Sequence, residues 1–569
     1  MNDPECKMQL YRPYATRVMQ NEELDFVLAS VRNFPVRRHF SPGLDAFLAG
    51  GPSPEVAVLY GVRRTGKTTA ILQSILHLPE EERKKAVFFQ IRDPNAETGK
   101  LLKGDTVQDL ENDIRRLLGE GKKYFFVDEA TRLIDFQHGA DVFPDVLARC
   151  GGRIVLSGTD SLCLDDARKN KLQGRVFPLT TSHIFFHEWS AISDSDCLDD
   201  FARLGGILGT GKQVQELFGT EDGCEDYVQS AYAENLQHSI QDRKHANIPQ
   251  EILDLADEGR LESAIQRIVE DLNHRVTAKI LRKNLSLSSI GSLRDLIEKD
   301  VRRAREKGFS VSELLAKKIQ LSCLQHIDEQ QLIQWMSLCL QIRDESIKPD
   351  KKTADGFEPV SQQAAQYLER ELVRLDVLSP FPIRKIQEDG SVIDGTRNLL
   401  VQHGLKYFQA TVMAECLAND PMFVSLFASD KDSLLKRMEW DILGHVAEEI
   451  VLLDAQKALA DKNARLFMLG LPRGEIDLAI QNTRSNDLSL FEIKHSSEID
   501  PEQQAVHLMN KEIMALIQKA FAGANIVSRT VLVNNNKLKP TTINDINYKN
   551  IGSFLKELHD NPLKTIFRS

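Results

Sequence analysis

The sequence lacks any long apolar run. No stretch approaches the roughly 20 apolar residues of a membrane-spanning helix. The opening MNDPECKMQLYRPYATR carries acids and prolines where a signal peptide needs an apolar segment. We therefore expect a soluble cytoplasmic protein.

Cysteine pairs at metal-binding spacing are also missing. The eight cysteines are scattered over 569 residues, without a C-x-x-C pair or neighbouring histidines at zinc-finger spacing. We expect them to be reduced and mostly structural. A chain of this length suggests three or four domains at about 150 residues per domain.

An excess of basic charge is absent as well. Lys and Arg number 72 against 83 Asp and Glu, which gives a net charge of -11. This balance argues against a protein that coats nucleic acid indiscriminately, although it leaves room for a local basic groove. The basic cluster Val301 to Lys307 is a candidate for binding phosphate, and a solvated helix face is the alternative.

A phosphate-binding loop is present in EVAVLYGVRRTGKTTAILQSIL, where a buried strand pattern is followed by G-x-x-x-x-G-K-T and an amphipathic helix. Lys67 would contact the β and γ phosphates, and the Thr68 hydroxyl would ligate Mg²⁺. The residues expected to bind the nucleotide are Gly61, Val62, Arg63, Arg64, Thr65, Gly66, Lys67, Thr68, Thr69 and Asp128.

An acidic pair follows the next strand pattern, KKYFFVDEATRL. An acid at the carboxyl end of a parallel strand lies where such sheets bind ligands. Asp128 would hold Mg²⁺ through water, and Glu129 would polarise the attacking water. The alternative is a helix-capping acid pair after a core strand.

Two further polar positions are candidates for sensing the γ phosphate. Ser157 or Thr159, at the end of RIVLSGTDSL, could do so from the neighbouring strand, although a polar strand end also suits an ordinary turn. Arg175 in LQGRV could supply positive charge to the transition state, in cis or from a neighbouring subunit. A plain surface arginine is the alternative.

Near the C-terminus, GEIDLAIQNTRSNDLSLFEIKHS contains two apolar strand patterns that carry unexpected charges. Strand residues alternate faces, so Glu475 and Asp477 share one side of the first strand and Glu492 pairs with Lys494 on the second. Two edge strands with solvated faces would give the same pattern.

The sequence resembles bacterial and archaeal AAA-type ATPases with a C-terminal PD-(D/E)xK nuclease-like domain. The resemblance rests on YGVRRTGKTT, FFVDEA, LSGTDSL and LQGRV, followed by FARLGGIL, and on the charged C-terminal strands. It implies an α/β multidomain fold: a P-loop parallel sheet, a helical lid, a winged-helix-like segment and a restriction-endonuclease-like αβββαβ domain. It covers roughly the first two hundred residues and the C-terminus, and it is weak between them.

The expected domain boundaries follow from this reading. They are a lead-in at 1–50, an ATPase core at 51–222, a helical lid and connector at 223–342, a linker with a winged-helix-like segment at 343–429, and a nuclease-like domain at 430–569.

The resemblance also implies a metal site for phosphodiester hydrolysis. Asp477 and Glu492 would bind Mg²⁺ together with Glu448 on the first helix of the domain, with the carbonyl of Ile493 as a further ligand. Lys494 would orient the nucleophilic water or stabilise the pentavalent state. Gln503 or Gln504 could touch DNA at the mouth of the site. A domain that binds metal without cleaving is the alternative.

Two functions therefore remain open. The first is a nuclease that acts on DNA under the control of ATP and uses Mg²⁺ at both sites. The second is an ATP-dependent molecular switch or scaffold whose C-terminal domain only binds a partner or nucleic acid. A homo-oligomer, or a protein partner held by the helical or winged-helix-like segment, is compatible with either function. If the two sites communicate, the helices from Tyr227 to Ile342 are the expected coupling element.

Overall fold

A computed structural model gives the fold. The residues it describes are 16–92, 105–208, 221–242, 248–261, 264–265, 268, 361–419 and 431–567, apart from residues 35, 52, 160, 171, 173, 182, 461 and 522. The chain divides into two compact units. The first comprises 1–195, 206–265 and 359–378, and the second comprises 196–205, 266–358 and 379–569.

The first unit is a sheet covered by helices on both faces. Its strands are β1 (Arg17–Met19), β2 (Val56–Tyr60), β3 (Ala86–Gln90), β4 (Tyr124–Asp128), β5 (Arg153–Gly158) and β6 (Val176–Thr180). Its helices are α1 (Asn21–Ala29), α2 (Ser41–Ala49), α3 (Lys67–His77), α4 (Glu80–Arg83), α5 (Val107–Gly119), α6 (Phe136–Gly139), α7 (Ser161–Asn170), α8 (Phe186–Ser193), α10 (Glu221–Val228), α11 (Glu234–Asp242), α12 (Gln250–Asp257) and α13 (Gln362–Arg374). Ala130–Arg132 forms a 3₁₀ turn, and Phe143–Ala148 and Gln229–Ala233 form π-helical turns.

The strand order in this sheet is β1-β3-β4-β5-β2-β6. The five strands β2 to β6 pair in parallel, and β1 runs antiparallel to β3. Buried parallel strands need apolar residues on both faces. In β2, Val56 and Val58 join the hydrophobic core on one face, while Ala57 and Leu59 join the core on the other.

The lead-in predicted at 1–50 is part of this first unit. It supplies β1, and helices α1 and α2 contribute Leu24 and Leu44 to the core on the second face of the sheet. Five residues of β3 alternate between the two faces, and Phe88 packs with those leucines. The first unit therefore includes residues upstream of the predicted boundary at residue 51.

The second unit is built on another sheet. Its strands are β7 (Leu378–Ile386), β8 (Val392–Leu400), β9 (Ala464–Gly470), β10 (Glu475–Asn482), β11 (Asp487–Lys494), β12 (Asn525–Val533), β13 (Thr541–Ile543) and β14 (Ile546–Asn550). Its helices are α9 (Leu198–Leu204), α14 (His403–Asn419), α15 (Lys431–Ala458), α16 (Pro501–Gln504), α17 (Val506–Met509), α18 (Lys511–Ala520), α19 (Ile551–Asp560) and α20 (Pro562–Phe567).

The order of strands in this sheet is β13-β14-β12-β11-β10-β9-β7-β8. Strands β9, β10 and β11 pair antiparallel, and β12 runs parallel to β11. From α15 to β12 the elements follow the order helix, three strands, short helices, strand, as the sequence predicts. The carboxyl end of β11 places Lys494 beside Val533 of β12.

The predicted winged-helix-like segment, 343–429, does not form a separate module in the residues that the structure describes. Its helix α13 belongs to the first unit, and its strands β7 and β8 extend the sheet of the second. Residues Ile383–Lys385 of β7 pair in parallel with Met468–Gly470 of β9. The hairpin therefore covers the otherwise open edge of β9.

Several predicted segments lie outside the described residues. They are the linker at 343–359, the basic cluster Val301 to Lys307 and most of the predicted lid and connector helices. In the part of the chain that is described, no helix combines the length and apolar character needed to cross a bilayer.

Candidate functional sites

The phosphate-binding loop joins the carboxyl end of β2 to the first turn of α3. Gly66 begins this helix in the left-handed region, at φ 85°. A Cβ there would lie 2.6 Å from the Leu208 Cδ1. A Cβ on Gly61 would collide with Thr181. Both ends of the loop therefore require glycine.

Lys67 lies in the loop with its ammonium group turned inward. Its Nζ donates to the carbonyl oxygens of Gly61, at 2.7 Å, and Val62, at 2.9 Å. Burial lowers the pKa of Lys67 to about 8, although the nearby charges of Glu129 and Asp128 raise it. A buried cation held only by two carbonyl oxygens suits an incoming phosphate.

Asp128 joins the loop to the central strands. The Thr68 Oγ1 donates to the Asp128 Oδ2 at 2.7 Å, and the Ser157 hydroxyl donates to the other carboxylate oxygen. Burial raises the pKa of Asp128, as does the neighbouring charge of Glu129, while the two hydroxyls lower it. The predicted magnesium ligands Thr68 and Asp128 are therefore in direct contact.

Glu129 is held by the strand next to its own. One of its carboxylate oxygens accepts the Thr159 hydroxyl at 2.8 Å and the Thr159 amide at 3.2 Å. Glu129 has a left-handed backbone, at φ 59°. Such strain in a residue with a side chain is concentrated at functional sites. Both candidate sensors, Ser157 and Thr159, thus contact the acidic pair.

The other loop residues are fixed by contacts within the first unit. The Thr65 Oγ1 donates to the Val62 carbonyl at 3.0 Å. Arg63 approaches Glu234 at 3.4 Å. Arg64 is left-handed at φ 64°, and its carbonyl accepts the Leu208 amide at 2.7 Å. Thr69 follows in the first turn of α3.

Arg175 lies away from this loop. Its carbonyl accepts the amide of Val56, the first residue of β2, whereas the loop follows Tyr60 at the other end of that strand. The Arg175 guanidinium pairs with Asp145. A strand of this length spans roughly 16 Å at 3.3 Å per residue. Within one chain Arg175 therefore lies at the opposite end of β2 from the loop, and its predicted role, in cis or from a neighbouring subunit, stays a prediction.

A buried ion pair behind the loop was not predicted. The Arg38 side chain donates to the carbonyls of Thr65 and His183, and its Nε lies 3.1 Å from the Glu188 Oε1. Burial raises the pKa of Glu188, but hydrogen bonds and charge from His39 and Arg38 outweigh it and place that pKa far below its usual range. No local motif marks Arg38 or Glu188, since they are distant in sequence.

In the second unit, Lys494 bridges two of the predicted acids. Its Nζ lies 2.6 Å from the Glu492 Oε2 and 3.3 Å from the Asp477 Oδ2. The Ile493 amide donates to the same Asp477 oxygen at 2.6 Å. Glu492 is 2% exposed and Asp477 is 7% exposed. Strand alternation places Glu475 with Asp477 and Glu492 with Lys494 on shared strand faces, and the structure brings Asp477, Glu492 and Lys494 together without Glu475.

Glu448 contributes a third carboxylate from α15. Burial raises the pKa of Asp477 well above its usual value, and the charge of Glu448 raises it further. Burial also lowers the pKa of Lys494, but the charges of Asp477 and Glu492 outweigh that effect and raise it. For Glu448, burial is outweighed by the hydrogen bond and charge of His445, so its pKa falls.

Two histidines that the sequence analysis missed touch these acids. The His445 Nδ1 lies 3.1 Å from the Glu448 Oε2, and the His507 Nδ1 lies 3.2 Å from the Glu492 Oε1. The i, i+3 spacing of His445 and Glu448 on one helix is readable in the sequence. His507 comes from α17 and has no such signal.

Other residues differ from the prediction. Glu475, the first residue of β10, is exposed, whereas Asp477 is buried, so the two do not share one environment as strict alternation predicts. The register of β10 against β9 also shifts between Ile476 and Ala479. The Gln504 amide is occupied by its own loop, donating to the Glu498 carbonyl at 2.8 Å. Gln503 is exposed and remains at the mouth of the site.

The predicted metal ligands do not form a ready cluster. In the described part of the chain, no group of three or more His, Cys, Asp or Glu side chains has the arrangement of a metal site. Lys494 instead supplies the positive charge between Asp477 and Glu492. Hard carboxylate oxygens from Glu448, Asp477 and Glu492 suit Mg²⁺ in kind. Binding would require Lys494 to give up at least one of its two contacts.

A cleft of about 960 Å³ is lined by two members of this group, Lys494 and Glu448, whereas Asp477 and Glu492 do not line it. Its walls include Lys494 and, one turn of α15 apart, Gly444 and Glu448. Acids outnumber lysines along the walls, which carry Asp441, Glu448, Glu498, Asp500 and Glu502 against the single Lys494. The cleft is therefore unfavourable for polyanions away from the Lys494 position.

Comparison with known proteins bears mainly on the first unit. Residues 53–190 match a family model described as "AAA domain". No curated protein matches the sequence. Among solved structures, a chain of the S. cerevisiae Hsp104-ADP complex aligns at 13% identity and a TM-score of 0.25, over 78% of this chain and 57% of that one. The chain thus spans little more than half the length of that Hsp104 chain.

Proposed function

We propose that ATP and Mg²⁺ bind at the loop from Gly61 to Thr69 and that Glu129 is the catalytic base. The match of residues 53–190 to the AAA domain supports this proposal, because such P-loop domains bind and hydrolyse ATP. Lys67 would exchange its two carbonyl contacts for phosphate oxygens. Thr68 and Asp128 would supply hard oxygen donors to Mg²⁺, which neutralises charge on the phosphates.

Thr159 would orient Glu129 for its proposed role. The hydroxyl and amide of Thr159 hold one carboxylate oxygen and leave the other to accept a proton from the attacking water. Arg175 would serve this reaction only in trans, from a second copy of the chain. A homo-oligomer is therefore part of the proposal.

For the second unit we propose metal-dependent phosphodiester hydrolysis, with DNA as substrate. The observation that carries this proposal is the contact of Lys494, which lines the cleft, with both Glu492 and Asp477. Glu448, Asp477 and Glu492 would hold Mg²⁺, which activates water and neutralises the scissile phosphate. Lys494, released from one acid, would orient that water.

A partner-binding domain without cleavage is the second candidate. Two observations favour it: Lys494 already neutralises the acids, and no ready metal cluster exists among the described side chains. In this case the chain is an ATP-dependent switch or scaffold, whose second unit recognises a partner or nucleic acid.

Cleavage distinguishes the two candidates. Wild type, D477A and K494A are incubated with supercoiled and branched DNA, with Mg²⁺ or Mn²⁺, and with or without ATP. E475Q is the matched control, because this acid on the same strand is exposed and outside the Lys494 contact. Cleavage by wild type and E475Q, lost in D477A and K494A, supports the nuclease. If wild type cleaves nothing in any condition, the nuclease is refuted and the ATP-dependent switch or scaffold is the function supported.

Control of this activity by nucleotide is a further part of the proposal. E129Q should retain ATP and K67A should fail to bind it, so the two variants fix opposite nucleotide states. Their cleavage rates should differ several-fold if the sites are coupled. Equal rates, with ATP affinity unchanged by DNA, would mean independent sites.

A further inference from the structure

A large aromatic side chain lies exposed in the cleft of the second unit. Trp440 on α15 is 47% exposed and lines the cleft over Lys494. The indole of tryptophan is normally buried to a high degree, so a half-exposed ring in a concave site suggests a binding surface.

The indole is supported from below by His495. The two ring centroids lie 4.1 Å apart at an angle of 56°. The His495 side chain is 3% exposed, and its Nε2 lies 2.8 Å from the Asp199 Oδ1. Asn534, at the end of β12, donates to the same Asp199 oxygen at 2.8 Å. The Trp440 ring therefore rests on a side chain that is itself held in place.

The Trp440 ring and the His495 beneath it lie near the acid and lysine group because both are carried by the same two elements, α15 and the end of β11. His495 directly follows Lys494, and Glu448 lies two turns after Trp440 on α15, at about 12 Å along the helix axis. Gly444 lies between them, and a Cβ there would meet the His495 Cβ at 3.4 Å. Gly444 therefore adds no side chain to the cleft wall between Trp440 and Glu448.

We propose that Trp440 is a stacking platform for an unpaired base, and that the substrate of the second unit is single-stranded nucleic acid or a single-stranded end. The proposal rests on the phosphodiester chemistry proposed above. An aromatic face can stack only on a base whose own face is uncovered, as in a single strand. Paired bases inside a duplex hide their faces against their neighbours.

Charge also favours a single strand over a duplex. A duplex carries one negative charge per about 1.7 Å of axis, twice the linear density of one strand. The cleft walls bear five carboxylates and one lysine. Repulsion from those acids therefore costs a duplex more than a single strand, and stacking on Trp440 supplies attraction that does not depend on charge.

Binding to short oligonucleotides tests the platform directly. Full-length wild type, W440A and W440F are titrated, with Ca²⁺ replacing Mg²⁺ to prevent turnover, against fluorescein-labelled oligo(dT), oligo(rU) and a hairpin duplex, with anisotropy as the readout. W440A should weaken single-strand binding about tenfold, and W440F should stay within about threefold of wild type. The two single strands distinguish DNA from RNA.

Thermal unfolding of each variant separates loss of binding from loss of folding, and W440F keeps the proposal testable if W440A unfolds. Single-strand binding that is unchanged in W440A, or duplex binding that falls by the same factor, overturns the proposal and leaves Trp440 as an anchor for a protein. If wild type and W440A cleave equally well, the stacking platform is refuted and the nuclease proposal stands. Trp440-dependent binding without any cleavage supports the platform and refutes the nuclease.

Discussion

Replacing Arg38 by Met should have two effects that can be measured separately: a lower free energy of unfolding and a lower affinity for ATP. Arg38 and Glu188 are 4% and 3% exposed in their side chains, so neither charge is well solvated. Removing one partner of a buried pair costs about 3–5 kcal/mol when the other charge is left uncompensated. Glu188 keeps its contacts with the amide and ring of His39, so the lower end of that range applies. We expect R38M to lower the free energy of unfolding by about that amount.

The same substitution should weaken ATP binding for another reason. The Arg38 guanidinium donates to the Thr65 carbonyl inside the loop. Without it, the buried carbonyl loses a charge-assisted hydrogen bond, worth about 1.5–3 kcal/mol, and the loop is free to adopt other backbone conformations. We expect ATP affinity to fall at least tenfold.

The double variant R38M/E188Q tests the reasoning. Glutamine removes the stranded carboxylate, so stability should recover by about 1–3 kcal/mol relative to R38M. ATP affinity should not recover, because Thr65 still lacks its donor. Urea denaturation measures the first quantity, and titration with a fluorescent ATP analogue measures the second.

Arg37 supplies the matched control. It is the preceding residue in the chain and pairs with Asp45, but both side chains are partly exposed, at 21% and 33%. R37M should cost about 1 kcal/mol or less. If R38M costs no more than R37M, or if R38M/E188Q is no more stable than R38M, the buried pair does not have the role assigned to it.

Three further predictions concern the same unit. K67A should abolish ATP binding and hydrolysis, whereas E129Q should bind ATP without turnover; hydrolysis by K67A at the wild-type rate would show that the site is misassigned. G66A should lose about 1–2 kcal/mol of stability from its left-handed backbone alone, and more because its Cβ would collide with Leu208. It should also lose ATP binding. A wild-type melting temperature in calorimetry would contradict this prediction. The depressed pKa of Glu188 means that its carboxylate stabilises the fold above the unfolded value of about 4.3 and loses that effect as the pH falls through the folded value. The stability gap between wild type and E188Q should therefore narrow below about pH 4 in urea titrations, and a gap independent of pH would refute the assignment.

Local patterns predicted the elements that carry the chemistry. The glycines and lysine of the loop, the acids after β4, and the strand order from α15 to β12 all follow from residues close together in sequence. The contact of Lys494 with Glu492 and Asp477 follows from strand alternation and hairpin pairing, which are short-range properties.

Features that depend on distant contacts could not be predicted. Nothing near Arg38 in the sequence indicates that Glu188 neutralises it. Nothing near Val56 shows that Arg175 lies at the end of the sheet opposite the phosphate-binding loop. Glu475 is exposed and Asp477 is buried on the same strand, and the register shifts between Ile476 and Ala479; no residue nearby marks either feature. The β7–β8 hairpin looks like part of a winged helix locally, because its pairing with β9 involves residues far along the chain.

The second unit is not a continuous piece of the chain. It includes Asp196–Gly205, whose helix α9 packs against α14 and α15 and whose Asp199 accepts hydrogen bonds from His495 and Asn534. A gene fragment that begins at residue 379 would encode the eight-stranded sheet without the side chain that orients His495 beside Lys494. A truncation that begins at residue 379 therefore cannot carry this unit intact, and a transplant of the unit alone would need three separate segments of coding sequence.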